Sequence, residues 1–291
     1  MPVATLAGPA LWWRLLVIGG LWGSAFPLLR LVATEMTPFT LAALRGGFAA
    51  LAVFAFLAAT RRLGGRLEWR HWLVLGTTNG WVPNLLTALA LGQIVAASAA
   101  LIHAATPLLV ALLAAMVLRE ERPGMRSVAG LALGFAGIAA ILGPAALAGN
   151  ASFAGGLLIL CSGLSYAIGT VYARWARPEA PAQLALGQQL VSAGVAGLLA
   201  LPFSPAGDFA LQGWVWAAVA ALGILGSAVP LTMFLSLIGR ARATDAAMVG
   251  YLQPPFAAAM GAAMLGEFPS PAVLAGGAVV LAGVWLGTSR R

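Results

Sequence analysis

Residues 96–120 read AASAALIHAATPLLVALLAAMVLRE, and residues 243–267 read ATDAAMVGYLQPPFAAAMGAAMLGE. The two stretches lie 147 residues apart, and this offset aligns Pro107 with Pro254. Each stretch is apolar and long enough to cross a bilayer as a helix, with proline near its middle and glutamate at its end. The chain therefore contains an internal repeat, and we expect a binding site where the two copies differ.

The composition excludes a soluble domain. Of 291 residues, 61% are hydrophobic and 8% are charged, whereas soluble proteins carry about 25% charged residues. Apolar runs of about 20 residues recur, which predicts a helical bundle, and the short alternating segments of a membrane barrel are absent. The net charge of +8 comes from arginines spread over segment ends, so no nucleic-acid partner is expected. A single cysteine, Cys161, cannot form an internal disulfide.

Ten apolar spans are predicted, and the arginines fix their orientation. Fourteen of the sixteen arginines fall at the span ends that the positive-inside rule assigns to the cytoplasm, and only Arg30 and Arg45 lie toward the outside. We therefore predict an all-α polytopic membrane protein with ten transmembrane helices and cytoplasmic N- and C-termini, whose first helix is retained. The predicted spans are 12–32, 37–60, 70–92, 96–118, 125–143, 152–175, 182–202, 212–238, 243–265 and 271–288.

The repeat divides the chain into two halves of five spans. Residues 1–146 hold spans one to five, and residues 147–291 hold spans six to ten. At an offset near 144, the first spans of the halves also align, with Trp22 over Tyr166. An odd number of spans turns the second half upside down in the membrane. Inverted repeats of this kind are typical of secondary transporters, whose substrate site lies between the repeats near the bilayer midplane.

Short motifs in corresponding places carry a resemblance to a known family. The chain resembles the EamA-like family of the drug/metabolite transporter superfamily, and within it the YddG-type aromatic amino-acid exporters. The resemblance implies that spans one to four and six to nine surround a central cavity, with spans five and ten packed outside. The motifs are Trp22-Gly-Ser-Ala-Phe, Leu44-Arg45, Ala105-Thr-Pro-Leu and Glu120 with Arg122-Pro123 in the first repeat, and Leu252-Gln-Pro-Pro and Glu267 in the second.

Polar residues inside an apolar span need a reason, because they are costly in lipid. In span three, Thr77, Trp81 and Asn84 are spaced as one face of a regular helix. This face either lines the cavity, with Asn84 bonding a polar group of the substrate and Trp81 stacking on it, or it bonds to neighbouring helices.

The differences between the two quoted stretches give four more candidate substrate-binding residues. His103 and Thr106 lie in span four, and Tyr251 and Gln253 lie at similar depth in span nine. His103 has three interpretations: a neutral contact for the substrate, a packed side chain, or a group that couples protons to transport. Tyr251 and Gln253 offer an aromatic face and an amide to a cavity.

Two aromatic residues and one arginine also lie inside predicted spans. Trp22 and Tyr166 lie too deep to be interfacial anchors, so they either pack in the core or line the cavity. Arg45 either extends to the headgroups, or binds a carboxylate, or contacts a helix C-terminus. In the second repeat, Gln188 or Gln189 takes the place of Arg45.

Prolines and glutamates recur at matched places in the two repeats. Paired helix interruptions are a sequence pointer to a transport site, as fixed kinks or as hinges that bend during transport. We predict structural or gating roles for Glu120 and Glu267, bonded to arginines or free backbone amides, and for Arg45. The four candidate hinge residues are Pro83, Pro107, Pro230 and Pro254.

No Asp or Glu lies deep in any predicted span, which disfavours an antiporter of cationic drugs and protons. Two histidines and one cysteine supply no catalytic set, so we expect no enzyme and no cofactor. We predict a monomeric carrier in the inner (plasma) membrane of a bacterium, whose partners are lipid and a small-molecule substrate. It exports small metabolites, above all aromatic or neutral amino acids, by alternating access without ion coupling. The alternative is export of another metabolite or an uncharged drug, with proton coupling through His103.

Overall fold

Every regular element of the described chain is helical. The structure, a computed structural model, describes residues 9–64, 69–118, 125, 128–130, 132–134, 136–137, 139–140, 151–176, 180–204, 212–238, 240, 246 and 248–288. The helices are α1 (Pro9–Val32), α2 (Pro38–Ala59), α3 (Trp69–Gly76), α4 (Val82–Leu91), α5 (Ala96–His103), α6 (Thr106–Val117), α7 (Ala151–Ala176), α8 (Pro181–Ala200), α9 (Gly213–Gly223), α10 (Val229–Ile238), α11 (Val249–Leu265) and α12 (Pro271–Thr288).

The prediction of a helical membrane protein is confirmed, while the finer topology stays a prediction. Within the described residues, six helical stretches are long and apolar enough to cross a membrane. The count of ten spans and the cytoplasmic termini are not tested, and part of span five lies outside the described residues. The six stretches are Ala10–Val32, Pro38–Ala59, Ala96–Val117, Phe153–Ala176, Pro181–Ala200 and Gly213–Ile238.

Two π-helical turns stand at matched places in the two repeats. The first π turn is Thr77–Trp81, between α3 and α4, and the second is Ile224–Ala228, between α9 and α10. Their positions differ by the same 147 residues as the prolines, because 77 + 147 is 224. Each turn is followed by a Val-Pro pair at the start of the next helix. The repeat inferred from prolines is therefore also a repeat of backbone geometry.

The prolines account for these turns. Proline has no N–H, so it cannot bond the carbonyl four residues back, and its ring pushes that carbonyl away. For Pro83 and Pro230 the affected carbonyls belong to Asn79 and Gly226, inside the π turns. The wider i→i+5 turn makes room for the ring. The N–H of Val82, for example, donates to the Thr77 carbonyl.

The stretches that hold Pro107 and Pro254 differ in backbone. In the first, α5 ends at His103, and α6 starts at Thr106, with Pro107 in its first turn. The expected interruption of the second stretch is wrong, since α11 runs unbroken through Pro254. The helix α11 begins at Val249, only five residues before Pro254. The carbonyl four residues before this proline therefore lies in the first turn of the helix, where a lost hydrogen bond disturbs little of the helix.

Helices of the first repeat pack mainly on helices of the second. The closest pairings are α2 with α8, α1 with α11, and α4 and α6 with α7. Glycine permits one of these approaches: a Cβ on Gly23 of α1 would lie 2.5 Å from the carbonyl oxygen of Gln253 in α11. Large apolar side chains such as Met116 and Leu198 remain on the outer surface, as expected for a protein surrounded by lipid. The repeats thus enclose the middle of the molecule between them.

Candidate functional site

A cavity lies between the two repeats. It holds about 710 Å³ of space not filled by atoms, including its open mouth, and both repeats contribute to its wall. Apolar walls with a few polar groups are typical of sites for small molecules. The lining residues are Trp22, Ala25, Phe26, Leu29, Arg45, Thr87, His103, Thr106, Val110, Tyr166, Thr170, Phe234, Val249, Gly250 and Gln253.

Most of the larger lining residues are counterparts under the repeat. The offset of 144 relates the pairs on α1 and α7, and the offset of 147 relates those on the later helices. In most pairs one repeat supplies a bulky or aromatic side chain where the other supplies a smaller or more polar one. The wall is therefore symmetric in backbone position and asymmetric in chemistry. The pairs are Trp22 with Tyr166, Phe26 with Thr170, Thr87 with Phe234, His103 with Gly250, and Thr106 with Gln253.

Aromatic rings contact one another around the cavity. The rings of Trp22 and Phe234 meet edge to face with 5.2 Å between centroids. His103 lies between two rings, with its centroid 5.8 Å from that of Phe26 and 5.4 Å from that of Tyr166. Edge-to-face and tilted contacts of this length are favourable. Together these rings form a rigid apolar part of the wall.

Unpartnered polar atoms lie beside the rings. His103 is 9% exposed, and its Nδ1 atom makes no hydrogen bond within the described part of the chain. The same holds for the Thr106 hydroxyl. A buried polar group without a partner is costly, so such groups commonly bind water or a ligand. His103 and Thr106 therefore offer hydrogen bonds to a solute in the cavity.

Arg45 is the charged residue of the wall. It is only 7% exposed, so its side chain is enclosed by the protein. Its Nε donates to the Ser227 hydroxyl at 2.7 Å, and its Nη2 donates to the Gly226 carbonyl at 3.0 Å. Both acceptors belong to the second π turn. The guanidinium thus replaces the N–H that Pro230 cannot provide.

The counterpart of Arg45 is Gln188. Its Nε2 donates to the Asn79 carbonyl at 3.1 Å, in the first π turn. Asn79 and Gly226 are related by the repeat, since 79 + 147 is 226, so the two side chains bond equivalent carbonyls. The sequence left Gln188 and Gln189 as alternatives, and the geometry selects Gln188.

The structure brings some of the predicted site residues together and separates others. Of the predicted set, Trp22, His103, Thr106, Tyr166 and Gln253 line the cavity, and so does Arg45. The other four predicted residues lie outside the wall, and their roles are untested. These four are Thr77, Trp81, Asn84 and Tyr251.

The four remaining residues have other surroundings. The Trp81 indole N–H donates to the Thr77 hydroxyl at 3.3 Å, within the first π turn. Asn84 is behind Tyr166 and accepts a long bond of 3.5 Å from its hydroxyl. Tyr251 packs against the core, and its buried hydroxyl lacks a partner among the described residues. Asn84 therefore contacts a wall residue, Tyr166, without lining the cavity itself.

Several wall residues were missed by the sequence reading. Thr87, Phe26, Thr170 and Phe234 are in the wall but were not among the predicted site residues. A signal for them existed, because Thr87 follows Asn84 by one helical turn, and Phe234 is its counterpart at offset 147. The offset of 144 likewise relates Phe26, one helical turn after Trp22, to Thr170.

The residues predicted for hinge and gating roles lie on several different helices. Pro83 and Pro230 follow the π turns, Pro107 stands at the start of α6, and Pro254 lies within α11. Glu120 lies outside the described residues. The positions of these residues test neither hinge motion nor gating.

Glu267 joins three segments at one end of the bundle. Its carboxylate forms an ion pair with Arg30 and accepts a bond from the Ala96 N–H at 3.2 Å. Arg30 also donates to the carbonyls of Leu91 and Ile94 at 2.6 and 2.5 Å. The pair therefore ties α1 and the end of α11 to the loop between α4 and α5.

Comparison with known proteins identifies the family. The sequence matches the EamA-like transporter family over residues 11–143 and 153–288, so the chain belongs to this family. The protein is accordingly a multi-pass membrane transporter of the drug/metabolite superfamily. A solved structure described as "Crystal structure of protein" is similar over 97% of both chains, with a TM-score of 0.72 and 22% sequence identity, which supports the fold. No curated protein matches the sequence.

Proposed function

We propose that this transporter exports small metabolites, above all aromatic or neutral amino acids, by alternating access through the cavity between the repeats. One observation carries the proposal: the wall combines aromatic rings, unpartnered neutral polar groups and a single arginine. A free amino acid with an aromatic side chain presents matching chemistry, namely a flat apolar ring and a small charged end.

The wall also disfavours other cargo. None of the described lining residues is Asp or Glu, so a cationic drug would find no counter-charge there. The rings of Trp22, Phe26 and Phe234 suit a flat solute, whose ammonium group can lie over an aromatic face. His103, Thr106 and Gln253 supply the few polar contacts that orient a ligand in an apolar site.

The proposal includes the cellular setting and the mode of transport. The carrier works as a monomer in the inner (plasma) membrane of a bacterium, with no enzymatic activity, no cofactor and no nucleic-acid partner. Transport is facilitative, and the π turns beside Pro83 and Pro230 are the points at which the helices bend. Weak backbone bonding at a π turn makes it a suitable hinge.

Reconstitution into liposomes tests this function. Vesicles that contain the protein should equilibrate labelled tryptophan, phenylalanine or tyrosine without any ion gradient, whereas empty vesicles should not. A dicationic dye serves as the control solute, because the described wall offers it no counter-charge. If aromatic and neutral amino acids move no faster than in empty vesicles, the proposed substrate class is wrong.

Proton coupling through His103 is the second candidate mechanism. The buried imidazole with an unpartnered Nδ1 favours it, because such a group is able to exchange a proton with the cavity. Uptake is therefore compared with and without an imposed proton gradient, in the wild type and in His103→Gln. Flux that requires the gradient and disappears in the variant would establish coupling and exclude the facilitative mechanism.

A further inference from the structure

The two repeats perform one structural task with different side chains. The carbonyl four residues before each proline has no backbone N–H donor from that proline. A side chain from the helix that packs against the π turn donates to this carbonyl instead. Gln188 does this for Asn79, and Arg45 does it for Gly226. A neutral amide is therefore sufficient for this task, and the scaffold does not require a positive charge at Arg45.

The charge of Arg45 is not balanced within the described structure. Its hydrogen-bond acceptors, the Ser227 hydroxyl and the Gly226 carbonyl, are both neutral. The ion pair of the described residues involves Arg30 and Glu267, which are elsewhere in the molecule. A buried cation is stable only when an anion or several dipoles compensate it. Because Arg45 lines the cavity, the compensating anion has access from the cavity side.

The guanidinium also retains unused donors. An arginine carries five N–H groups, of which the contacts to Ser227 and Gly226 engage two. The planar group is held in place by these contacts, so its remaining donors are preoriented. A fixed guanidinium suits a carboxylate, since two parallel N–H groups match its two oxygens.

We propose that Arg45 binds the carboxylate of the transported solute and so selects acids over their neutral analogues. This assignment rests on the proposed function, because it refines the substrate class of the same cavity. It gives Arg45 a ligand-binding role in addition to its bonds with the π turn. The rings of Trp22, Phe26 and Phe234 then lie beside the apolar part of the same solute.

Binding of matched acids and amides tests the assignment. Purified full-length protein in detergent is titrated with L-tryptophan and L-tryptophanamide, and with phenylacetate and phenylacetamide, and binding is followed by thermal stabilisation and calorimetry. The wild type should bind each acid at least about 10-fold more tightly than its amide, as expected for a charge-assisted contact. Arg45→Gln should lose this preference while its affinity for the amides stays within about 3-fold.

Arg45→Gln introduces the side chain type that Gln188 uses at the first π turn, so it keeps a donor for the Gly226 carbonyl. Arg45→Lys keeps the charge and should retain part of the acid preference, which gives a second variant if the first one fails to fold. Arg14→Gln, the same change away from the cavity, should bind like the wild type. If Arg45→Gln loses the same affinity for acids as for amides, and Arg45→Lys also loses the preference for acids, Arg45 has a structural role only.

The two substrate pairs separate this assignment from the proposed function. If phenylacetate is preferred over phenylacetamide in an Arg45-dependent way but tryptophan neither binds nor moves, the amino-acid proposal is wrong and the assignment stands. If tryptophan is transported but the wild type does not prefer acids over amides, the assignment is wrong and the function stands. A wild type that binds none of the acids overturns the assignment.

Discussion

The two π turns are built alike and surrounded differently. Each precedes a Val-Pro pair, and each contains a carbonyl that accepts a hydrogen bond from a side chain of the facing helix. The first π turn is bonded by Gln188, a second-repeat side chain buried away from the cavity, and the second π turn is bonded by Arg45, a first-repeat side chain in the cavity wall. The two repeats therefore share the backbone task, while the side chain that performs it differs between the place that faces the cavity and the place that does not.

The largest expected effect on stability comes from giving both π turns an arginine as their side-chain donor. Gln188→Arg places a second cation at a side chain that is fully buried and is not part of the wall of the described cavity. We expect a loss of about 3–5 kcal/mol, the cost of an uncompensated buried charge, measured by thermal unfolding or by the amount of folded protein in membranes.

Gln183→Arg is the matched control, because Gln183 lies on the same helix and its amide bonds exposed backbone near Gly64. This variant should remain close to the wild type. Equal stability of the two variants would show that the first π turn tolerates a charge, and the contrast between the repeats would then have no energetic basis.

A second effect concerns the packing of α1, whose counterpart is α7. Gly23→Ala places a methyl group against the Gln253 carbonyl and the Phe256 side chain, at 2.5 and 2.9 Å. In α7 the corresponding residue is Ala167, which is buried without difficulty. We expect Gly23→Ala to cost about 1–3 kcal/mol of unfolding free energy.

Gly20→Ala is the control on the same helix, since its Cβ would lie at an ordinary 3.4 Å from the Phe256 ring. Thermal unfolding of both variants distinguishes a local clash from a general intolerance of alanine. If both lose the same stability, close approach at Gly23 is not the cause.

A third effect tests the asymmetry between Thr87 and Phe234. Phe234→Thr gives both repeats the same residue and removes the ring that meets Trp22, a contact worth about 0.5–1.5 kcal/mol beyond burial. We expect weaker binding of aromatic solutes than of aliphatic ones, measured by titration of tryptophan against leucine. Phe54→Thr, on the exposed surface of α2, should leave this ratio unchanged.

The smallest effect concerns the ion pair between Arg30 and Glu267. Glu267→Gln removes a pair whose side chains are 28% and 16% exposed, so solvent screens it in part. We expect a loss of about 1 kcal/mol or less, reduced further at high salt. Glu35→Gln, at an exposed carboxylate, is the control. A loss that does not depend on salt would assign the effect to the bond with the Ala96 N–H instead.

One prediction from the sequence illustrates why spacing has limits. Thr77, Trp81 and Asn84 were placed on one face because a regular helix turns by a fixed angle per residue. The first π turn begins at Thr77 and ends at Trp81, so the wider turn changes the register between these residues. Asn84 consequently faces Tyr166 instead of the cavity. Trp22, His103 and Gln253, which lie outside such turns, line the cavity.

The sequence by itself determined the helical membrane protein, the repeat and its offsets, because apolar length and paired prolines are local properties of the chain. It also marked most of the aromatic and polar residues that later met in the cavity. Only the tertiary structure decided that Gln188 and not Gln189 corresponds to Arg45. The physical reason is that a side chain's partner depends on which carbonyl a neighbouring helix presents, and that choice is made by packing across the two repeats.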